Sequence, residues 1–219
     1  MGEITLKHVK RTLFILCFLP WIWTFYLAVS GGLGAEPIKG LLHELGQWTL
    51  RFLLLTLSIT PVRRLTGVAA LIRLRRLFGL YTFFYALTHF SVYLLLDLGL
   101  DWATLGEDII KRPYITVGFS AWMLMAMLAA TSTNNMMRRM GRRWKSLHRS
   151  IYTIALLGIV HYYWSVKADV REPLIYAGVF VLLMVLRLRQ QPRSGAQTSR
   201  ISPHALPVRG LGRRLGNAE

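Results

Sequence analysis

The sequence predicts an all-α integral membrane protein, a six-helix transmembrane bundle with both termini cytoplasmic. Three observations lead there. The apolar residues, 53% of 219, gather in long uncharged runs with neither a helical nor a strand period. The mean hydropathy is +0.39. The charges, finally, sort by connecting segment.

Taken in order, the spans fall at about residues 12–30, 45–62, 77–96, 113–133, 148–166 and 173–190. The first, third and fourth have uncharged runs of roughly 20 residues, enough to cross hydrocarbon as a helix. The other three need their flanks. The second reaches back to Leu45 if Arg51 snorkels, the fifth is almost long enough alone, and the sixth must place Arg187 and Arg189 among headgroups. The first span imitates a signal peptide, with Lys7, Lys10 and Arg11 ahead of it, but its core exceeds the usual apolar stretch of about 7 to 15 residues, so a retained anchor is expected. Cys17 is the single cysteine, which excludes an internal disulfide and a CxxCH haem attachment. Residues 63–76 and 134–149 read as basic connectors, the latter with Trp144 at the membrane interface, and residues 97–112 as an acidic connector that either docks a partner or caps the bundle. One domain over 1–190 is expected, followed by a basic tail at 191–219 whose Arg, Ser, Gly and Pro content predicts disorder.

A net charge of +17 invites a nucleic-acid reading, and the position of each charge removes it. With the amino terminus in the cytoplasm, the cytoplasmic segments hold Lys7, Lys10, Arg11, Arg63, Arg64, Arg73, Arg75, Arg76, the arginines of 138–149 and the tail. Glu36, Glu44, Asp97, Asp101, Glu107, Asp108, Asp169 and Glu172 all fall on the opposite side. This is the positive-inside pattern of a membrane protein, and the basic side faces anionic membrane lipids.

Three histidines fall within spans: His89, His148 and His161. An ionisable residue in hydrocarbon is costly, and neutral imidazole is a common ligand for iron. His89 lies about 12 Å and His161 about 9 Å below the same predicted periplasmic surface at helical rise, so the two rings can clamp one haem iron. A six-coordinate haem suits electron transfer and leaves no open position for substrate. His148 lies about 20 Å further down the fifth span, where it is either a ligand of a second haem or an interfacial histidine; the matching positions on the third span are Arg75 and Arg76. Arg51 either pairs with a haem propionate or snorkels. A transporter would be expected to carry ordered charge pairs inside its spans, and apart from Arg51 this sequence has none.

Several stretches are also familiar. Gly31-Gly32-Leu33-Gly34-Ala35-Glu36-Pro37, Leu71-Ile72-Arg73-Leu74-Arg75-Arg76-Leu77-Phe78-Gly79-Leu80 and His161-Tyr162-Tyr163-Trp164-Ser165-Val166-Lys167 resemble the MsrQ (formerly YedZ) family. Arg112-Pro113-Tyr114, Thr131-Ser132-Thr133 and Pro173-Leu174-Ile175-Tyr176-Ala177-Gly178 extend the likeness over residues 8–190. The family lies in the ferric-reductase-like transmembrane group that includes the NADPH oxidases. The resemblance implies haem b on His89, His148 and His161, an associated FMN, and electrons drawn from the quinone pool or a cytosolic flavin reductase. It implies delivery to MsrP, a periplasmic molybdopterin enzyme that reduces methionine sulfoxide in oxidised proteins. Larger relatives use two histidine pairs and a fused flavin and NADPH domain. One member of the second pair is missing here, and no such domain is present within the sequence.

Overall fold

The computed structural model describes residues 3–166 and 169–189, and the described residues are helical throughout, without a strand. The predicted tail at 191–219 lies outside the described residues, as does Lys167.

Helix α1 (Glu3–Ser30) carries the first apolar run. Helix α2 (Pro37–Thr66) begins two turns earlier than expected, because Pro37 at its first position gives up only an N–H that a helix start leaves unpaired anyway. It ends at Gly67, whose φ of 71° glycine adopts without strain. After a 3-10 turn over Ala69–Leu74, α3 (Arg75–Val92) runs into a π-helical turn at Tyr93–Asp97. Then follow α4 (Trp102–Lys111), α5 (Pro113–Ala130), α6 (Asn134–Met140), α7 (Arg142–Leu147), a 3-10 turn at His148–Ser150, α8 (Ile151–Ser165) and α9 (Arg171–Arg189).

The segments read as connectors are therefore largely helical. Asp101 caps α4, its carboxylate accepting the N–H groups of Ala103 and Thr104. Thr133 does the same for α6 through the N–H of Met136. Gly141, at φ 53°, separates α6 from α7. These helices are short and lie beside long apolar runs, so their own periodicity is easily overlooked.

Helix α2 is the hub, packed against α1, α3, α8 and α9, while α5 packs on α3, α4 and α8. Two antiparallel pairs result, α2 with α3 and α5 with α8. One face of α2 (Leu50, Leu53, Leu54, Leu57) meets Ile154, Ile159 and Leu183, and another (Leu41, Leu45, Phe52) meets Phe78, Tyr85 and Cys17. Cys17 is buried and free, as a small core residue. Two tyrosines fasten α3 to the α1 backbone: Tyr81 donates to the Phe14 carbonyl at 2.6 Å and Tyr85 to that of Cys17 at 2.9 Å. The outer surface is apolar, with Trp23, Val29, Leu174 and Ile175 exposed, as expected where lipid replaces water around a bundle. His8–Ser30, Ala69–Asp97 and Pro113–Ala130 are long and apolar enough to cross a membrane. These are the same three spans whose uncharged runs stand alone in the sequence.

Candidate functional site

Between the two helix pairs lies a cavity of about 740 Å³, and His89 and His161 face each other across it. Their ring centres are 6.3 Å apart and their planes nearly perpendicular, at 87°. Each ring is oriented by the helix paired with its own. The His89 Nδ1–H donates to the Leu42 carbonyl of α2 at 2.9 Å, and the His161 Nδ1–H donates to the Tyr114 carbonyl of α5 at 2.6 Å. A carbonyl can only accept, so both neutral rings carry their proton on Nδ1 and leave Nε2 as the lone-pair nitrogen. Two imidazoles bound end-on to one metal, at about 2 Å per bond, put their ring centres roughly 6 Å apart. The observed spacing matches that geometry.

The walls allow a large planar group between the rings. Glycines stand behind both imidazoles: a Cβ at Gly46 would lie 3.5 Å from Nδ1 and Cε1 of His89, and one at Gly118 would lie 2.5 Å from Nδ1 of His161. The remaining lining is mainly apolar, with Leu50, Leu53, Ala86, Phe90 and Trp122 among it. The volume falls within the ~300–1,000 Å³ of cofactor pockets. No group of three or more His, Cys, Asp or Glu side chains able to hold a metal ion occurs among the described residues. Two imidazoles alone underfill a metal's coordination shell, whereas a porphyrin iron brings its own four nitrogens. The donor set therefore fits haem.

At its mouth the cavity is lined by Glu36, Lys39, Asp97 and Arg112. Lys39 Nζ lies 2.5 Å from Glu36 Oε1, and this hydrogen bond, then the Glu36 charge, holds the ammonium above its ordinary range. Arg112 is held above its ordinary value first by a side-chain hydrogen bond with Tyr114 and then by the charge of Asp108, whose Oδ1 is 3.0 Å from its Nε. Tyr93 donates to the other oxygen of Asp108 at 2.6 Å, which ties α4 to the end of α3. Two cations, each paired with a carboxylate, thus stand at the mouth of the cavity.

The other predicted residues lie elsewhere. Arg51 does not line the cavity; its guanidinium donates to Gln47 Oε1 at 2.5 Å and Tyr176 Oη at 3.0 Å and lies 4.6 Å over the Trp48 ring. His148 stacks on Trp144 at 4.0 Å, and its Nε2 is 3.2 Å from the Thr131 hydroxyl, outside the cavity. Reasoning from the sequence alone missed the orienting carbonyls, the two glycines, and Lys39 and Arg112. It also missed a polar cluster beside the cavity. Buried Gln47 lies 2.9 Å from His43 Nε2, donates to Tyr162 Oη at 3.0 Å and contacts Glu172, to which Tyr162 also donates at 2.5 Å.

A helical membrane scaffold with two imidazoles facing each other across a largely apolar cavity has the form of a haem-carrying membrane protein, and comparison narrows the class. The family model described as ferric reductase like transmembrane component matches residues 45–159. The chain is 49% identical over 195 residues to the protein-methionine-sulfoxide reductase heme-binding subunit MsrQ of Xanthomonas campestris pv. campestris (strain B100), covering 88% of this chain and 89% of that protein. It is 50% identical over 181 residues to the protein of the same name from Xanthomonas oryzae pv. oryzae (strain MAFF 311018), covering 82% and 83%. For that of Brucella anthropi the identity is 46% over 198 residues, 90% of each chain. No solved structure matches. The chain belongs to the MsrQ family of ferric-reductase-like transmembrane proteins.

Proposed function

We propose that this chain holds haem b between His89 and His161 and passes electrons across the bacterial inner membrane to MsrP, the periplasmic methionine sulfoxide reductase, from the quinone pool or a cytosolic flavin reductase. The observation that carries this reading is the facing pair of imidazoles, each with Nδ1 tied to a backbone carbonyl and Nε2 free. In the proposed arrangement α1, α2, α3, α5, α8 and α9 are the six spans, both termini are cytoplasmic, and the cavity mouth with Lys39 and Arg112 opens to the periplasm.

Haem held by His89 and His161 would supply a one-electron carrier. The chain's own residues do the rest. The Leu42 and Tyr114 carbonyls fix the tautomers and aim the rings, so that each Nε2 is the nitrogen that would bind the iron. Phe90, Trp122, Leu50 and Leu53 exclude water from the rings. Lys39 and Arg112 supply cations for the propionates, so those carboxylates are not left unpaired in an apolar site. The resemblance adds FMN, and Arg139, Arg142 and Arg143, which line one cleft on α6 and α7, are suited to its phosphate.

A haem and flavin assay on the purified wild type beside His89→Ala and His161→Ala tests the cofactor. The wild type should show the sharp visible bands of reduced b haem, and either variant should lose them. Sulfoxide reduction by added MsrP in membranes carrying the chain tests the acceptor. Normal haem without such activity would point to another acceptor.

A further inference from the structure

The cavity is built twice from one pattern. Leu42, Gly46 and His89 on α2 and α3 correspond to Tyr114, Gly118 and His161 on α5 and α8. In each set a carbonyl accepts from an imidazole 47 residues further along the chain. In each, a glycine one turn after that carbonyl backs the same ring. The residue numbers differ by 72 every time (42 and 114, 46 and 118, 89 and 161). The correspondence extends beyond these three. Every residue that lines the cavity between Leu42 and Tyr93 has a counterpart at that offset which lines it too, ending with Tyr93 and Ser165. Such agreement requires both the helix faces and the register between paired helices to be kept. Most side chains at matched positions differ, as with Leu50 and Trp122 or Thr49 and Ala121. What persists is the carbonyl, the glycine and the imidazole.

We propose that these three groups form one histidine-positioning element present in two copies, and that the second copy is the demanding one, with Gly118 setting where the His161 ring stands. This rests on the haem reading for its spectral consequence only. The difference between the copies is steric. A methyl at Gly118 would lie 2.5 Å from Nδ1, 2.7 Å from Cε1 and 3.0 Å from Cγ of His161. That is the edge of the ring that donates to Tyr114 at 2.6 Å, so the methyl would push the ring off its carbonyl and shift Nε2 with it. A methyl at Gly46 would meet His89 at 3.5 Å, an ordinary contact, and the ring need not move. Gly46 and Gly118 are positioning residues in this account, acting through the imidazoles they back.

The test compares full-length, membrane-extracted Gly46→Ala and Gly118→Ala with the wild type by haem content and by the ferric absorption and spin-resonance spectra. Gly46→Ala should stay close to wild type. Gly118→Ala should lose haem by roughly tenfold or more, the scale on which misorienting a metal ligand acts, and what haem it keeps should lose the six-coordinate low-spin signature. Misfolding of Gly118→Ala for an unrelated reason is separated by a cycle on haem-free protein with His161→Ala and the double variant Gly118→Ala/His161→Ala. Removing the ring gives the new methyl room, so the double variant should regain thermal stability relative to Gly118→Ala. A Gly118→Ala protein with the wild-type spectrum, or a double variant no more stable than Gly118→Ala, would overturn the proposal. A wild type devoid of haem would sink the proposed function instead, and the stability cycle would still decide the positioning element.

Discussion

Around the cavity the two helix pairs agree position by position, and away from it they part. Beside the cavity on α2, Gln47 and Arg51 join the cavity-lining His43 with Tyr162, Glu172 and Tyr176 in a polar cluster reaching α8 and α9. The positions on α5 that match Gln47 and Arg51 are Phe119 and Met123; Phe119 itself lines the cavity and packs 5.9 Å from Phe90 and 6.1 Å from Trp122. The shared part is therefore what two equivalent ligands require, and the divergent part is where each pair does separate work. The first pair anchors the last helix through hydrogen bonds, and the second closes the cavity with aromatic rings.

Loss of either ring probes the equivalence of the two helix pairs most severely. His89→Ala and His161→Ala should each remove nearly all of the haem held by the pair, to a similar extent, while His148→Ala leaves that haem in place. A haem assay in which one of the first two variants retains its cofactor would mean the halves are not equivalent. Next is Gln47→Leu, which should affect only the divergent part. It leaves Arg51 and Tyr162 short of partners inside the bundle and should cost about 1–3 kcal/mol of stability, measured by thermal unfolding, without changing haem per protein. Arg112→Ala should act more weakly. Taking a cation from the cavity mouth disfavours the reduced, less positive state, so a redox titration should show a lower midpoint potential and a small loss of haem.

The smallest effect lies outside both pairs, at the cap of α4. The hydroxyl and N–H of Thr104 hold the exposed Asp101 carboxylate below its ordinary range. A depressed folded value means the cap contributes above the unfolded value of about 4 and is lost as pH falls through the folded one. Protection of the α4 amides, taken relative to the intrinsic exchange rate at each pH, should therefore fall under acid, and Asp101→Asn should flatten that dependence.

Much of this was legible in the sequence for a physical reason: apolar runs and buried imidazoles are expensive unless they have a use, so the three self-sufficient spans and the level pair His89 and His161 announce themselves. The orienting carbonyls do not, since every residue has one. A glycine such as Gly46 or Gly118 inside an apolar helix reads as a packing residue, and only the equal spacing from each glycine to its histidine, 46 to 89 and 118 to 161, would have marked them. The doubling is hidden because few matched side chains are alike. For Arg51, depth alone left two readings open, a propionate partner or a snorkelling cation. Arg51 stands about 140° around α2 from Gly46, and the sequence gives no warning until the face of α2 that meets the cavity is known.

Everything proposed for this chain follows from two imidazoles sharing one iron, and electron spin resonance of the purified ferric protein reads that arrangement. A six-coordinate low-spin signal that disappears in both His89→Ala and His161→Ala is the predicted result. A colourless protein from haem-replete cells, or a high-spin five-coordinate signal indifferent to either substitution, would contradict it.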